Sequence, residues 1–284
     1  LYCEDNGRPN SSINSMLSAL ILKSKKDWTY RELFSQLTFN LVVRMSIGIF
    51  DFSELPFNQA TLFNFQNKLK KYYEEKSINL IENLFDNLTK AQLAELKIKT
   101  DIARTDSILI NSNIRKYGLV QLVLETILRL YRVFTEKDKE LFNAEFGIYT
   151  QQTSEKYIYD LKGSDLDHEL EKLCSAYYKM NKIASDKYNL TEEYKVFKRA
   201  FKDFFEVKVG KSPVVKKVKK MGGGCLQSPD DVDATYRKKN GKDSRGYAIN
   251  VIETANPEND LNLIVDVAVK PNNVDDSTIL NERI

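Results

Sequence analysis

The first hundred residues carry hydrophobic positions at the spacing of amphipathic helices. One such group consists of Ile13, Met16, Leu17, Leu20 and Ile21. Residues three and four apart lie on one side of a helix, so this spacing predicts a helix with one buried face. A second helix is predicted to begin after Thr29, because Thr29 and Glu32 occupy the two side-chain positions of a capping box. Its buried face is predicted to consist of Leu33, Phe34 and Leu37.

A proline-containing turn and a further helix follow. Pro56 interrupts regular structure, because proline has no backbone N–H to donate. Asn58 can then cap a helix. The buried positions of this helix are predicted to be Leu62, Phe65 and Leu69. Two capped helices separated by such a turn are typical of helix-turn-helix units, although many plain helical bundles share this outline. The pattern leaves both interpretations open.

The pattern changes to that of a β-strand at residues 99–110. This stretch is rich in β-branched and apolar residues and ends at the turn-forming residues 111–113. We predict a core strand. Asp106 lies near its middle, where a carboxylate is costly to bury unless it is paired or binds a metal. An ion pair with Arg104 or with a nearby lysine is the structural alternative to a metal site.

Helical spacing returns between Ile114 and about Phe205. The apolar positions of the first of these helices are Leu119, Leu122, Leu124, Ile127, Leu128 and Leu130. Residues 208–229 follow, and they combine many lysines with three consecutive glycines. Because glycine-rich polar segments behave as flexible chains, we predict a flexible basic linker here.

Two further strands are predicted near the end of the sequence. Residues 246–253 and 261–269 have strand-like composition, and the turn-forming residues 256–260 separate them. The pattern therefore predicts a hairpin. Asp275 and Asp276 can cap a short helix after it.

Composition places the chain among ordinary globular proteins. With 284 residues, of which 42% are hydrophobic and 29% charged, it can form one large domain or two smaller ones. No run approaches the roughly 18 to 20 apolar residues that cross a bilayer, and the beginning has no secretion-signal pattern, so a cytoplasmic protein without a membrane partner is expected. Cys3, Cys174 and Cys225 are too far apart to favour a disulfide framework or a zinc site.

Basic residues are concentrated in two places although the net charge is only +3. The first group is Lys208, Lys211, Lys216, Lys217, Lys219 and Lys220, and the second is Arg237, Lys238, Lys239, Lys242 and Arg245. Local concentration of positive charge is what nucleic-acid binding requires. A solvated linker followed by a charged hairpin tip is the equally weighted alternative.

Three stretches of the sequence carry motifs that together are typical of one protein family. The first comprises residues 27–33, 47–49, 55–56 and 61–65, which are similar to the pattern S-D-R-E-L … F-L-G-L … L-P-D-H-S-T-L-S-R-F. The second comprises residues 104–107 and 112–117, which are similar to R-T-D-S-T … S-N-I-R-K-Y. The third comprises residues 233–247 and 271–277, which are similar to D-A-x-Y-R-K-K-x-G-K-x-x-x-G-Y … P-N-N-x-x-D-S. Together the three stretches resemble the insertion-sequence DDE transposases, and their order and combination are more specific than any one of them.

The resemblance implies a ribonuclease-H-like nuclease core that holds two divalent ions. By this resemblance Asp106 is the first catalytic aspartate and a ligand of Mg²⁺, while 246–253 and 261–269 are the second and third strands. The family's second aspartate, on a fourth strand, and its glutamate, on a later helix, have no counterpart in this sequence. The chain therefore resembles a transposase truncated before the second aspartate. We expect it to be catalytically inactive as given, because one aspartate cannot hold two metal ions.

The resulting expectation for the fold is a mainly α N-terminal domain followed by an incomplete α/β ribonuclease-H-like domain with a helical insertion. The expected parts are a DNA-binding domain at 1–95, the first core strand at 96–112, the insertion at 113–207, the linker at 208–229, and the hairpin with the start of the first core helix at 230–284.

The expected function is DNA transposition, and the expected partner is the double-stranded DNA of transposon ends. Whether the chain forms a homodimer on DNA is left open. Phosphate contacts are expected from Lys216, Lys217, Lys219, Lys220, Arg237, Lys238, Lys239, Lys242 and Arg245. Two alternatives remain open. One is a repressor fragment that binds transposon ends without cleaving them, and the other is a helical remnant without affinity for DNA.

Overall fold

The computed structural model describes residues 11–50, 57–206, 214–215 and 222–283. The chain divides into two compact units, Leu1–Lys97 and Ile98–Ile284. In the described residues the first unit is helical, and the second combines helices with a small antiparallel sheet. The expected secondary-structure content, mainly α-helix with some β-sheet, is confirmed.

Side-chain caps begin the helices of the first unit. These helices are α1 (Ile13–Lys25), α2 (Tyr30–Phe39), α3 (Leu41–Ser46), α4 (Gln59–Lys76) and α5 (Leu80–Glu95). The predicted capping box is confirmed: the Thr29 N–H donates to Glu32 Oε2 at 2.7 Å, and the Glu32 N–H donates to Thr29 Oγ1 at 3.2 Å. The predicted Asn58 cap is also confirmed, because its Oδ1 accepts the Thr61 N–H at 2.9 Å. The predicted turn at Pro56 lies outside the described residues.

Helices α1, α2 and α4 share one hydrophobic core. Its fully buried side chains include Met16, Ala19, Leu33, Leu37, Leu62 and Phe65. The predicted positions Phe34 and Leu69 pack against this core but are only partly buried. The spacing of apolar residues thus identified the inward faces of α2 and α4. For α1 the prediction was only partly right, because Met16 is buried and Leu20 packs against the core, whereas Ile13 and Ile21 are 42% and 58% exposed.

The helices of the second unit enclose an aromatic core. They are α6 (Leu119–Arg132), α7 (Glu136–Phe146), α8 (Ser154–Asp160), α9 (Leu166–Ala184) and α10 (Glu192–Phe204). Tyr177 of α9 is fully buried and stacks on Phe197 of α10, with ring centroids 4.3 Å apart. Short strands β2 (Phe205–Glu206) and β3 (Val214–Val215) pair antiparallel after α10.

The main sheet is antiparallel and is built around one long strand. Its members are β1 (Ala103–Asn111), β4 (Thr235–Lys239), β5 (Lys242–Thr254) and β6 (Ile264–Pro271), and α11 (Asp276–Asn281) follows. Gly246 of β5 pairs with both Asn111 and Thr235, so β1 and β4 lie on opposite sides of β5. Strand β6 lies on the same side of β5 as β4 and pairs with residues 247–253 of β5, which follow those paired with β4. The predicted hairpin of β5 and β6 is confirmed.

One face of this sheet is covered, and the other carries exposed apolar side chains. Ala248 and Ala268 on the covered face pack against Ile279 of α11. The uncovered face carries Ile108, Val267 and Val269, of which Ile108 and Val269 are more than half exposed. Helix α11 begins directly after Asp275, as predicted. However, the side chain of Asp275 forms no hydrogen bond that caps the helix.

The prediction that β1 is a buried core strand was wrong. In the described part of the chain β1 pairs only with β5, and most of its residues are exposed. Apolar, β-branched composition indicates a strand but does not say how many neighbours it has, because this depends on contacts distant in sequence. Asp106 is therefore exposed, and the burial penalty expected from its apolar neighbours does not apply.

One end of the predicted flexible linker at 208–229 is packed. Leu226 is 1% exposed and belongs to the aromatic core of the second unit, and Ser228 is fully buried. The Leu226 N–H donates to Asp203 Oδ2 at 2.9 Å. A single leucine in a polar segment has no periodicity, so the sequence pattern could not show that it is buried.

Among the helices of the described residues, none has the length and apolar character needed to cross a lipid bilayer.

Candidate functional site

Asp106 lies on the uncovered face of the sheet, opposite Val251 in the register of β1 and β5. Its Oδ1 accepts the N–H of Ser107 at 2.8 Å. Two positions earlier, Arg104 donates from Nε to Glu253 Oε2 at 2.9 Å, and this hydrogen bond raises the pKa of Arg104. The alternative pairing of Asp106 with Arg104 is thus not formed. Asp106 makes no ion pair with any described residue.

Asp106 has suitable chemistry for one ligand of a divalent ion, but not for a complete site. It lines a surface hollow of about 350 Å³ together with Arg104 and Glu253. Carboxylate oxygens are the ligands that Mg²⁺ prefers. However, Glu253 is engaged by Arg104, and the described residues contain no group of three or more His, Cys, Asp or Glu side chains that could hold a metal. The two-metal centre of the resembled family is not formed by these residues alone.

A carboxylate that sequence reasoning missed connects the sheet to the segment before it. Asp231 accepts hydrogen bonds from the hydroxyls of Ser112 and Tyr247 and from the N–H of Ala234. Burial acts to raise the pKa of Asp231, but these donors outweigh it and hold the pKa below its usual range. Burial and the same contact raise the pKa of Tyr247. This cluster fixes the end of β1 against β5.

A buried asparagine ties β5 to its neighbours on the opposite side, at the same end of the sheet as the Asp231 cluster. Asn272 is fully buried, accepts from Thr235 Oγ1 at 2.9 Å and donates from Nδ2 to the Ser244 carbonyl at 3.1 Å. The backbone carbonyl oxygen of Asn272 accepts a hydrogen bond from Arg237 Nη1 at 3.2 Å. Asn272 therefore holds β4, β5 and the entry to α11 together. The sequence marked it only as part of the P-N-N motif.

The basic residues at 237–245 divide into two groups by their exposure to solvent. Lys238, Lys239 and Lys242 are exposed around the β4–β5 turn. Asn240 and Gly241 in this turn have φ of 52° and 78°, the conformation of a type I′ hairpin turn. A tight turn with three exposed lysines presents positive charge on a rigid support. Within the described part of the chain, the one ion pair that these lysines form is the exposed pair of Lys238 with Asp243, at 3.9 Å.

Arg237 and Arg245 are instead packed within the sheet. Arg237 binds the carbonyl of Asn272 and lies 4.0 Å from Asp276. The guanidinium of Arg245 lies 6.0 Å from the centre of the Tyr236 ring, and its buried Nε has no hydrogen-bond partner in the described structure. The four other candidates for DNA contact, Lys216, Lys217, Lys219 and Lys220, lie outside the described residues.

Residues 1–68 match the family model described as "Transposase domain (DUF772)". This match supports a transposase and a role related to transposition. It covers the first unit as far as the middle of α4 and does not extend to Asp106 or to the basic hairpin. No curated protein and no solved structure matches the chain.

Proposed function

We propose that the chain is a DNA-binding part of a DDE-type transposase, which binds transposon ends and supplies Asp106 as one metal ligand for strand cleavage and transfer. The observation that carries the proposal is the position of Asp106. It lies on β1, which pairs with β5, and β5 pairs in turn with β6. Strands β1, β5 and β6 correspond to the segments that the family resemblance assigns to the first three strands of a ribonuclease-H-like core. The transposase match at the N-terminus supports the same proposal independently.

The lysines of the β4–β5 hairpin are the best-placed phosphate contacts of the second unit. Lys238, Lys239 and Lys242 are exposed at one turn, whereas Arg237 and Arg245 bind within the protein. Arginine and lysine contacts to phosphate position a protein on DNA without reading its sequence. We therefore assign phosphate contact to the three lysines and a supporting role to the two arginines.

Mg²⁺ would supply the charge that stabilises the oxygens of an in-line displacement at phosphorus, and such a centre needs several carboxylates. Asp106 would be one of them. Because the described residues supply no complete set, we propose that this chain alone binds DNA without cleaving it. Under this proposal a repressor of the intact enzyme is a second role that the same chain can fill.

The test measures affinity of the full chain for DNA at several salt concentrations. The probe is a fluorescent duplex that carries the terminal sequences of the element encoding this chain. In the triple variant Lys238→Ala, Lys239→Ala and Lys242→Ala, three phosphate contacts are lost. The slope of log affinity against log salt should become shallower by about 2 to 3.

A charge-matched control removes the exposed lysines Lys137, Lys156 and Lys162, which lie in the second unit outside its sheet. It has the same net charge as the hairpin variant and should retain the wild-type slope. Equal effects of both variants would show that overall charge, and not the hairpin, determines binding. No salt-dependent binding of the wild-type chain to any duplex would overturn the proposed function and leave a helical remnant without DNA affinity. Cleavage of the probe in Mg²⁺ would overturn the proposal that the chain alone is inactive.

A further inference from the structure

We infer that one polar face of α4 enters the major groove of duplex DNA, where Asn64 and Asn67 read base edges and Lys71 contacts the backbone. This inference rests on the proposed function, because it names the surface with which the first unit would recognise its DNA. It is carried by the geometry of α4 itself.

The outward face of α4 is a continuous polar strip. A surface hollow of about 360 Å³ is lined by Thr61, Asn64, Asn67, Lys68 and Lys71. These residues follow one another at intervals of three, three, one and three, so they lie along one side of the helix. The opposite side carries Leu62 and Phe65, which are 0% and 1% exposed in the core of the unit. The strip therefore faces away from the hydrophobic core of the first unit.

Contacts with α2 hold this helix in place. The Tyr30 hydroxyl donates to Gln66 Oε1 at 2.9 Å, and the Tyr30 ring packs edge-on against Phe63 with centroids 4.6 Å apart. Phe34 of α2 packs similarly against Phe57, with centroids 6.2 Å apart. A binding surface on a helix that is fixed in this way is more precise than one on a loop.

The side-chain chemistry of the strip fits base edges. Asn64 and Asn67 are exposed, and neither side chain forms a hydrogen bond with any described residue. An asparagine amide can donate and accept at once, which matches the N6 and N7 atoms of adenine in the major groove. The strip contains no large apolar side chain, so it is poorly suited to a protein partner, whose contacts are typically centred on buried aromatic or aliphatic residues.

The dimensions of the strip also fit a major groove. Asn64 and Lys71 are seven residues apart, which corresponds to about 10 Å along a helix at about 1.5 Å per residue. The major groove is about 12 Å wide, so base contacts at one end allow phosphate contact at the other. Lys71 forms an exposed pair with Glu75 at 3.6 Å. Such pairs contribute little, so a phosphate can displace the carboxylate.

The acidic residues of α4 set the direction of approach. Glu74 and Glu75 lie near its C-terminal end, where they would repel phosphates, whereas the residues of the strip before them carry no negative charge. DNA is therefore expected to contact the part of the helix before Glu74, as far as Lys71. In helix-turn-helix proteins the N-terminal residues of the recognition helix likewise contact the bases.

The experiment is a selection of bound sequences from a library of duplexes with a randomised 25-base-pair centre, using the full chain. The wild-type chain should enrich a defined sequence. The double variant Asn64→Ala and Asn67→Ala should lose at least about tenfold in preference for that sequence over random duplex, while its affinity for random duplex is retained. The Lys71→Ala variant should weaken binding to both by the same factor.

A matched control carries Asn83→Ala, Asn87→Ala and Lys90→Ala on α5, where all three residues are exposed. It should retain the wild-type preference. A second variant, Asn64→Asp and Asn67→Asp, keeps the side-chain shape, removes the amide donors and adds two negative charges near the phosphates. It should therefore lose binding to the selected sequence and to random duplex alike. Circular dichroism at increasing temperature verifies that each variant is folded.

The outcomes separate this inference from the proposed function. Binding of no duplex by the wild-type chain would overturn both. If the wild-type chain enriches a sequence and the variants at Asn64 and Asn67 bind that sequence as selectively as the wild type does, the assignment of α4 is overturned. The proposed function then still stands. Binding to duplex with no enriched sequence would also overturn the base-reading role.

Discussion

The carboxylate of Asp231 accepts a hydrogen bond from the hydroxyl of Tyr247, which lies 16 residues away on the central strand of the sheet. The same carboxylate accepts from Ser112, just beyond the end of β1. Asp231 thus joins two strands that are far apart in sequence. These contacts bear on stability and on its dependence on pH, because they favour the ionised form of the aspartate.

The Asp231→Asn variant should be less stable than the wild type at neutral pH by about 1 to 3 kcal/mol, because an amide is a weaker acceptor than a carboxylate. The pKa of Asp231 is lowered in the folded state. Such a group contributes stability above its unfolded pKa of about 4 and loses it as pH falls through the folded value. The difference in unfolding temperature between wild type and variant should therefore shrink below about pH 4. A difference that stays constant from pH 7 to pH 3 would contradict this assignment.

The sequence identified local features of the fold well and distant contacts poorly. The Thr29–Glu32 capping box and the Asn58 cap are confirmed, because both depend on residues within three positions of each other. The exposure of Asp106 was missed, because it depends on which strands pair with β1. The bond between Ser112 and Asp231 spans 119 residues, and neither residue stands in a pattern that points to the other.

Replacement of Asn272 should destabilise the sheet more than any exposed asparagine does. Asn272→Ala removes the acceptor of Thr235 and the donor to Ser244 while leaving these partners buried. A buried polar group without a partner costs about 1 to 3 kcal/mol, so a total loss of about 2 to 5 kcal/mol is expected in urea unfolding. The neighbouring Asn273 is exposed, and Asn273→Ala should cost less than about 1 kcal/mol. Similar losses in both variants would show that the bonds of Asn272 do not stabilise the sheet.

Gly246 should tolerate no side chain. Its φ is +152°, and a Cβ at this position would lie 2.3 Å from the Ile110 carbonyl oxygen and 2.5 Å from the Ser112 nitrogen. Both are backbone atoms of the β1 end, so the clash cannot be relieved by a side-chain rotation. Gly246→Ala is expected to cost at least about 2 kcal/mol, because it combines backbone strain with displacement of β1 from β5.

The control for this change is Gly163→Ala. A Cβ on Gly163 would meet no atom within 4 Å, and the residue is not in the left-handed region. This variant should unfold within about 1 kcal/mol of the wild type or be slightly more stable, because alanine reduces the conformational freedom of the unfolded chain. Amide exchange would locate the damage in Gly246→Ala, where the β1 residues should lose protection first. Unchanged protection of β1 in a folded Gly246→Ala chain would contradict the expected clash.

Asp106 should be dispensable for stability and required for binding a divalent ion. It is exposed and forms no ion pair with a described residue, so Asp106→Asn is expected to change the unfolding free energy by less than about 0.5 kcal/mol. In the isotope-labelled wild-type chain, Mn²⁺ should broaden the amide signals of β1 around Asp106 and of β5 around Val251, which lies opposite it. Asp106→Asn should remove this broadening, whereas Asp160→Asn, a change at another exposed aspartate, should not. Broadening that persists in Asp106→Asn would show that Asp106 is not the ligand, and its absence in the wild type would argue against a metal at this strand.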